Sequence, residues 1–177
     1  VVDIVNKGNV HIIEKGLQSL VKEVVKEGYL FAKNKPSKAN VFILAVPTPL
    51  NKNKNGLPKP NIEYVLNAAI SISEFLEPGN LVILESTSPV GTTEKVAELL
   101  YAKSGLEKDS LSIAYCPERV LPGKALEEII SNNRVIGGIN KKSELQGENF
   151  YKSFCKGEII TTDSRTAELV KLTENAY

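Results

Sequence analysis

The chain has 177 residues, with 22 lysines and arginines against 21 aspartates and glutamates, so its formal charge is +1. That balance excludes a module whose affinity rests on neutralising nucleic-acid phosphates. A hydrophobic share of 42% and a charged share of 24% match an ordinary globular domain, and no apolar run approaches the roughly 20 residues of a membrane span. Cys116 and Cys155 are too few for a disulfide framework, and the single His11 sits in no metal-type spacing, which predicts free thiols in a cytoplasmic protein. The chain opens at Val1 and contains no Met, which predicts a piece of a longer protein.

Taken in order, residues 2–7 read as the end of a helix. Residues 11–27 carry Ile12, Ile13, Leu17, Leu20, Val21, Val24 and Val25 as an i, i+3, i+4 stripe that stops at Gly28, a second helix with His11 near its start. Residues 29–32 read as a weak strand and 41–46, closed by Pro47, as a stronger one. Residues 51–61, with four Asn, three Lys and two Pro, form a surface loop. A helical stripe over 61–76 is stopped by Pro78-Gly79. Further on, 81–84, 112–115, 134–137 and 158–161 read as strands, and 92–104 and 142–155 as helices. A last helix begins at Arg165, with Asp163 or Ser164 as N-cap. Short runs that are apolar on both faces, alternating with helices, predict an α/β domain with a doubly wound, Rossmann-like parallel sheet.

In such sheets ligands bind beyond the carboxyl ends of the strands. There the sequence places Pro47-Thr48-Pro49, then Glu85-Ser86-Thr87-Ser88-Pro89-Val90-Gly91-Thr92-Thr93, then Cys116-Pro117-Glu118-Arg119-Val120-Leu121-Pro122-Gly123. Hydroxyls, carboxylates and a guanidinium gather at one edge, and a helix starting near Ser88-Pro89 would add a dipole that favours anions. The same residues also suit plain turns and caps. Neither a G-x-G-x-x-G nor a G-x-x-x-x-G-K-[ST] loop is present. In the last helix Lys171 and Asn175 are four apart and share a face, where an ammonium and a carboxamide can hold an oxyanion or a water. By spacing alone, Lys171 between Glu168 and Glu174 reads as surface charge. Cys116 and Cys155 read as packing residues.

Five collinear segments change that weighting: ILAVPTP (43–49), LVILESTSPVGTTEK (81–95), IAYCPERVLPG (113–123), RVIGG (134–138) and SRTAELVKLTENAY (164–177). Together with the opening VDIVNKGNVHIIEKGL (2–17), they closely resemble the UDP-glucose/GDP-mannose dehydrogenase family along the whole chain. Within it they resemble the branch acting on UDP-N-acetyl-D-mannosamine. Family members oxidise the sixth carbon of a nucleotide sugar twice, to the carboxylate, with two NAD and one water. The resemblance implies that Thr48 and Thr87 contact NAD and that Glu118 manages water or protons in the hydrolytic step. It implies that Arg119 and Val120 contact the UDP-sugar. It also makes Lys171 the catalytic, oxyanion-stabilising lysine and Asn175 its water-holding partner, both against the substrate.

By the same resemblance, residues 1–163 are most of an NAD-binding domain, truncated at its N-terminal edge, and 164–177 start a linking helix around which homodimers or higher oligomers form. The family's glycine-rich loop is expected before Val1 and its catalytic cysteine, in a G-G-x-C context, after Tyr177, so the 177 residues alone are expected to be inactive. Relatives acting on UDP-glucose carry a glutamate where this chain has Pro122. Two alternatives stay open: an inactive nucleotide-binding module, and a dehydrogenase of another UDP-sugar such as UDP-N-acetylglucosamine. No metal, nucleic-acid or membrane partner is expected.

Overall fold

The computed structural model describes residues 1–51 and 57–176; the middle of the polar 51–61 loop and Tyr177 lie outside the described residues. In chain order the elements are α1 (Val2–Asn6), α2 (Leu17–Lys26), β1 (Val41–Leu44), β2 (Leu50–Asn51), β3 (Lys59–Pro60), α3 (Glu63–Ile72), β4 (Leu81–Leu84) and α4 (Thr92–Ser104). There follow β5 (Ser112–Tyr115), α5 (Ala125–Ser131), β6 (Arg134–Gly138), α6 (Lys141–Lys152), β7 (Ile159–Asp163) and α7 (Ser164–Ala176). Five strands form one sheet in the order β1-β4-β5-β6-β7, and β2 and β3 make a separate antiparallel ribbon at the base of the polar loop.

The central strands β4 and β5, buried at every position, are covered on both faces, whereas Ile43 of β1 and Ile160 of β7 leave the edge strands partly exposed. On one face Phe42, Leu44, Val82, Leu84, Ile113 and Tyr115 pack against Val65 and Ala69 of α3, Val96 and Leu100 of α4, and Ala167 of α7. On the other, Leu81, Ile83, Ala114, Cys116 and Ile136 pack against Tyr151 of α6 and against Cys155. The two thiols are therefore core residues, and burial pushes the Cys116 thiol up to about 11.

Three expectations need correction. The sheet is not wholly parallel: β1, β4 and β5 run together, but β6 is antiparallel to β5, and β7 follows β6. The chain leaves β5 at its carboxyl end and does not cross back, because α5 is held at that same edge. Asn132 donates to the Arg119 carbonyl (2.9 Å), Arg134 to the Ile129 carbonyl (2.8 Å), and the Leu121 amide to Glu128 (2.8 Å).

The second helix starts at Leu17 rather than near His11, after Gly16 in a left-handed conformation (φ 81°). The preceding segment is irregular and leaves Ile12 and Ile13 exposed. That conformation lets Glu14 reach across the fold and accept from the Gly123 amide (2.7 Å) and the Ala125 amide (3.4 Å). Residues 29–32 form no strand. There the Asn6 carboxamide satisfies both backbone groups of Ala32, donating to its carbonyl (3.0 Å) and accepting from its amide (2.7 Å).

The return of β6 explains the double glycine of RVIGG. A Cβ on Gly137 would lie 2.5 Å from the Asp163 carbonyl oxygen and 2.6 Å from the Ala167 Cβ. Only a residue without a side chain lets α7 settle onto β6. Helix α7 starts where β7 ends, capped by Asp163, whose carboxylate accepts from the Thr166 amide (2.9 Å) and hydroxyl (2.6 Å). It then runs back over the sheet toward the carboxyl ends of β4 and β5, which carries Lys171 to the edge expected to bind ligand.

Candidate active site

Lys171 stands at the centre of that edge. It is only 9% exposed, and its Nζ donates to the Glu118 carbonyl oxygen at 2.8 Å. The flanking glutamates, which suggested a solvated surface lysine, are engaged elsewhere. Glu174 is bound to Arg119, with 2.5 Å to its Nη2 and 2.8 Å to its Nε. Glu168 is wholly buried against α4. Surface charge is therefore the wrong reading of this lysine.

Five of the seven residues singled out from the sequence line one cavity of about 310 Å³: Glu118, Arg119, Val120, Lys171 and Asn175. The loop that carries the first three is fixed at both ends. Cys116 continues the pairing of β5 with β4, its amide donating to the Leu84 carbonyl (3.0 Å). Beyond it the Arg119 guanidinium also donates to the Asn133 carbonyl (3.3 Å). Glu118 is exposed, and one of its carboxylate oxygens accepts from the Val120 amide, which leaves the other free to meet water. Arg119 is not a bare cation, since its charge already faces Glu174. A larger cavity of about 480 Å³ lies between α4 and the 106–109 loop and holds none of these residues.

The other two residues form a second group. The Thr48 hydroxyl donates to the Thr87 carbonyl at 2.6 Å, joining the loops after β1 and β4. Between them Ser86 is purely structural: its Oγ accepts from the Val46 amide (2.8 Å) and donates to the Val46 carbonyl (2.7 Å). The anion site expected at the start of α4 is absent, because that helix end is already filled by the Glu168 carboxylate. The Thr48 hydroxyl, which donates to the Thr87 carbonyl, can still accept a bond from a ligand at this edge.

Sequence reasoning missed three residues. Glu168 and Glu14 act through long-range bonds that spacing does not reveal. Arg134 opens β6 and is only 5% exposed, with its guanidinium 4.6 Å from the Tyr151 ring centroid. Continuing the β5–β6 register sets it opposite Glu118. Its position in RVIGG was legible, but its burial was not. Nearby, burial pushes the Glu85 carboxyl up, against the pull of Arg134 and with help from Glu118.

The order of strands, helices on both faces and a ligand edge at the strand ends define a nucleotide-binding α/β domain of the Rossmann class. Among the described residues no helix is long and apolar enough to cross a membrane, and no cluster of three metal-ligating side chains occurs. Residues 1–155 match the UDP-glucose/GDP-mannose dehydrogenase family, NAD binding domain. The chain is 48% identical to UDP-N-acetyl-D-mannosamine dehydrogenase from Campylobacter jejuni, covering 100% of this chain and 45% of that protein. It is 44% identical to the NDP-N-acetyl-D-galactosaminuronic acid dehydrogenase of Ralstonia nicotianae, over 99% of this chain and 43% of the relative. Among solved structures, UDP-D-ManNAc dehydrogenase from Pyrococcus horikoshii superposes with a TM-score of 0.92 at 41% identity, over 99% of this chain and 42% of that one. The chain belongs to the UDP-glucose/GDP-mannose dehydrogenase family, and it spans less than half the length of these relatives.

Proposed function

We propose that this chain is the NAD-binding part of an enzyme that oxidises UDP-N-acetyl-D-mannosamine to the uronate. The balance is R–CH2OH + 2 NAD⁺ + H2O giving R–COO⁻ + 2 NADH + 3 H⁺. The observation that carries the reading is the buried Lys171 above the Glu118 carbonyl, sharing one cavity with Glu118, Arg119, Val120 and Asn175.

A lysine ammonium has three donors. One is spent on the Glu118 carbonyl, so two can face a sugar oxygen. Removing hydride from an alcohol builds negative charge on that oxygen, and a fixed, buried cation lowers the barrier. Asn175, one turn further along α7, holds a water or the same oxygen. The free oxygen of Glu118 takes or supplies protons when water enters the second step. Thr48 and Thr87 would hold NAD, whose chemistry when bound is to accept the hydride.

Residues 1–163 then serve as the cofactor domain and 164–177 begin a linking helix. The exposed Leu169 on that helix suits a homodimer or higher assembly in the cytoplasm. The Ralstonia relative keeps other N-acetylated sugars in view as substrates. The test is NADH formation by the intact gene product with UDP-N-acetylmannosamine, UDP-N-acetylglucosamine and UDP-glucose. The expected result is two NADH per UDP-N-acetylmannosamine and slower turnover of the others. Absence of NADH with every UDP-sugar would support an inactive binding module instead.

A further inference from the structure

Glu168 is 0% exposed, yet no lysine or arginine forms an ion pair with it among the described residues. Its two carboxylate oxygens accept instead from the Gly91 amide (2.5 Å), the Thr93 amide (2.7 Å) and the Thr93 hydroxyl (2.6 Å). These donors open α4. Gly91 occupies the N-cap position and has no side chain to bond its own helix, so the first amides of α4 need an acceptor from elsewhere. A buried carboxylate is costly unless fully bonded, and charge-assisted bonds at the positive end of a helix meet that need.

The acceptor comes from α7, three residues before Lys171. Gly91 lies in the left-handed region (φ 89°), where a capping Ser would be strained, so the chain does not supply a neutral local cap. Here the cap ties two helices together instead. One turn of α7 makes three successive attachments: Ala167 over Gly137, Glu168 to α4, and Lys171 to the Glu118 carbonyl. Helix α4 follows directly on the loop that carries Thr87. The Tyr115 ring lies fully buried beneath, with its phenol raised by burial and by the Glu168 charge.

We propose that Glu168 is a positioning residue: it locks the lysine-bearing helix α7 to the start of α4, so that Lys171 and the Thr87 loop keep fixed places relative to each other. Its role in oxidation rests on the function proposed above, whereas the lock itself can be tested without turnover.

In the intact enzyme, Glu168→Gln keeps the shape but turns an NH2 group toward one of the α4 donors. The first readout is competitive acetylation of the Lys171 amine with acetic anhydride, followed by mass spectrometry. Release of α7 frees that amine from the Glu118 carbonyl, and labelling accelerates about fivefold or more. The second readout is turnover with UDP-N-acetylmannosamine. Here kcat falls about tenfold or more while KM for the sugar stays within about twofold. In the Lys171→Ala background the same substitution costs less than about twofold, since a residue that acts through Lys171 has nothing left to position. Thr93→Val removes one of the three bonds and shows the same pattern more weakly, which decides the matter where Glu168→Gln does not fold. Wild-type labelling in a folded variant, or equal kcat losses in both backgrounds, overturns the proposal. An unmodified enzyme that oxidises no UDP-sugar overturns the proposed function instead, and the labelling rate alone then decides the lock.

Discussion

At the scale of single residues, carboxylates do most of the organising at this edge, and each in a different way. Glu118 faces solvent, Glu168 is buried and fully bonded, and Glu174 holds Arg119. Glu85 is the one that burial penalises, with Arg134 partly offsetting the penalty and Glu118 adding to it. Its raised folded-state pKa means that the folded protein holds the proton more tightly than the unfolded chain does. Stability from this group is therefore full below the ordinary carboxylate range and is lost as pH rises through that range toward the folded value. Glu85→Gln, which cannot ionise, should raise the unfolding midpoint at about pH 7, and the gain should vanish by about pH 3. Denaturant unfolding at the two pH values checks this. A gain that persists in acid would assign the effect to packing rather than to charge.

At the scale of elements, the close seat of α7 on β6 makes Gly137 decisive. A methyl group there meets the Asp163 carbonyl, Ala167 and the Ser164 backbone, each within 2.7 Å. Gly137→Ala should cost about 1–3 kcal/mol of stability by overpacking. It should also lower turnover, because a lifted α7 draws Lys171 from its carbonyl. Urea unfolding and kcat measured on one preparation check both, and wild-type values for both would remove this role for the glycine.

Most of these elements were legible in the sequence. The strands at 81–84 and 112–115 and the helix at 92–104 have the predicted bounds, because unbroken apolar runs and a helix bounded by Gly91 and Gly105 carry local signals. What local signals could not carry was direction and distant pairing. The reversal of β6 is set by bonds from α5, the late start of α2 by Glu14 reaching residue 123, and the missing strand at 29–32 by Asn6. The candidate site divides in the same way. Its residues were readable from the motifs that carry the family resemblance; helical spacing put Lys171 and Asn175 on one face but by itself favoured surface charge. The cap of α4 by Glu168 was not readable, because 75 residues separate the acceptor from Thr93.

At the scale of the whole molecule, the antiparallel return of β6 and β7 accounts for the site. A wholly parallel continuation would start the last helix at the ligand edge and carry its side chains away from it. Instead α7 begins beside the far end of β6 and crosses the sheet toward the ends of β4 and β5. That path brings a lysine from the end of the chain to the loop after β5. In the function proposed above, this lysine stabilises an oxyanion that exists only while bonds change. Such an interaction lowers the barrier without tightening the ground state. The most direct measurement is steady-state kinetics of Lys171→Ala in the intact enzyme with UDP-N-acetylmannosamine and saturating NAD. The expected kcat is at least about a hundredfold lower with KM for the sugar within about threefold, and the kcat loss for Asn175→Ala is smaller. Near-wild-type turnover in folded Lys171→Ala would contradict that role of the lysine.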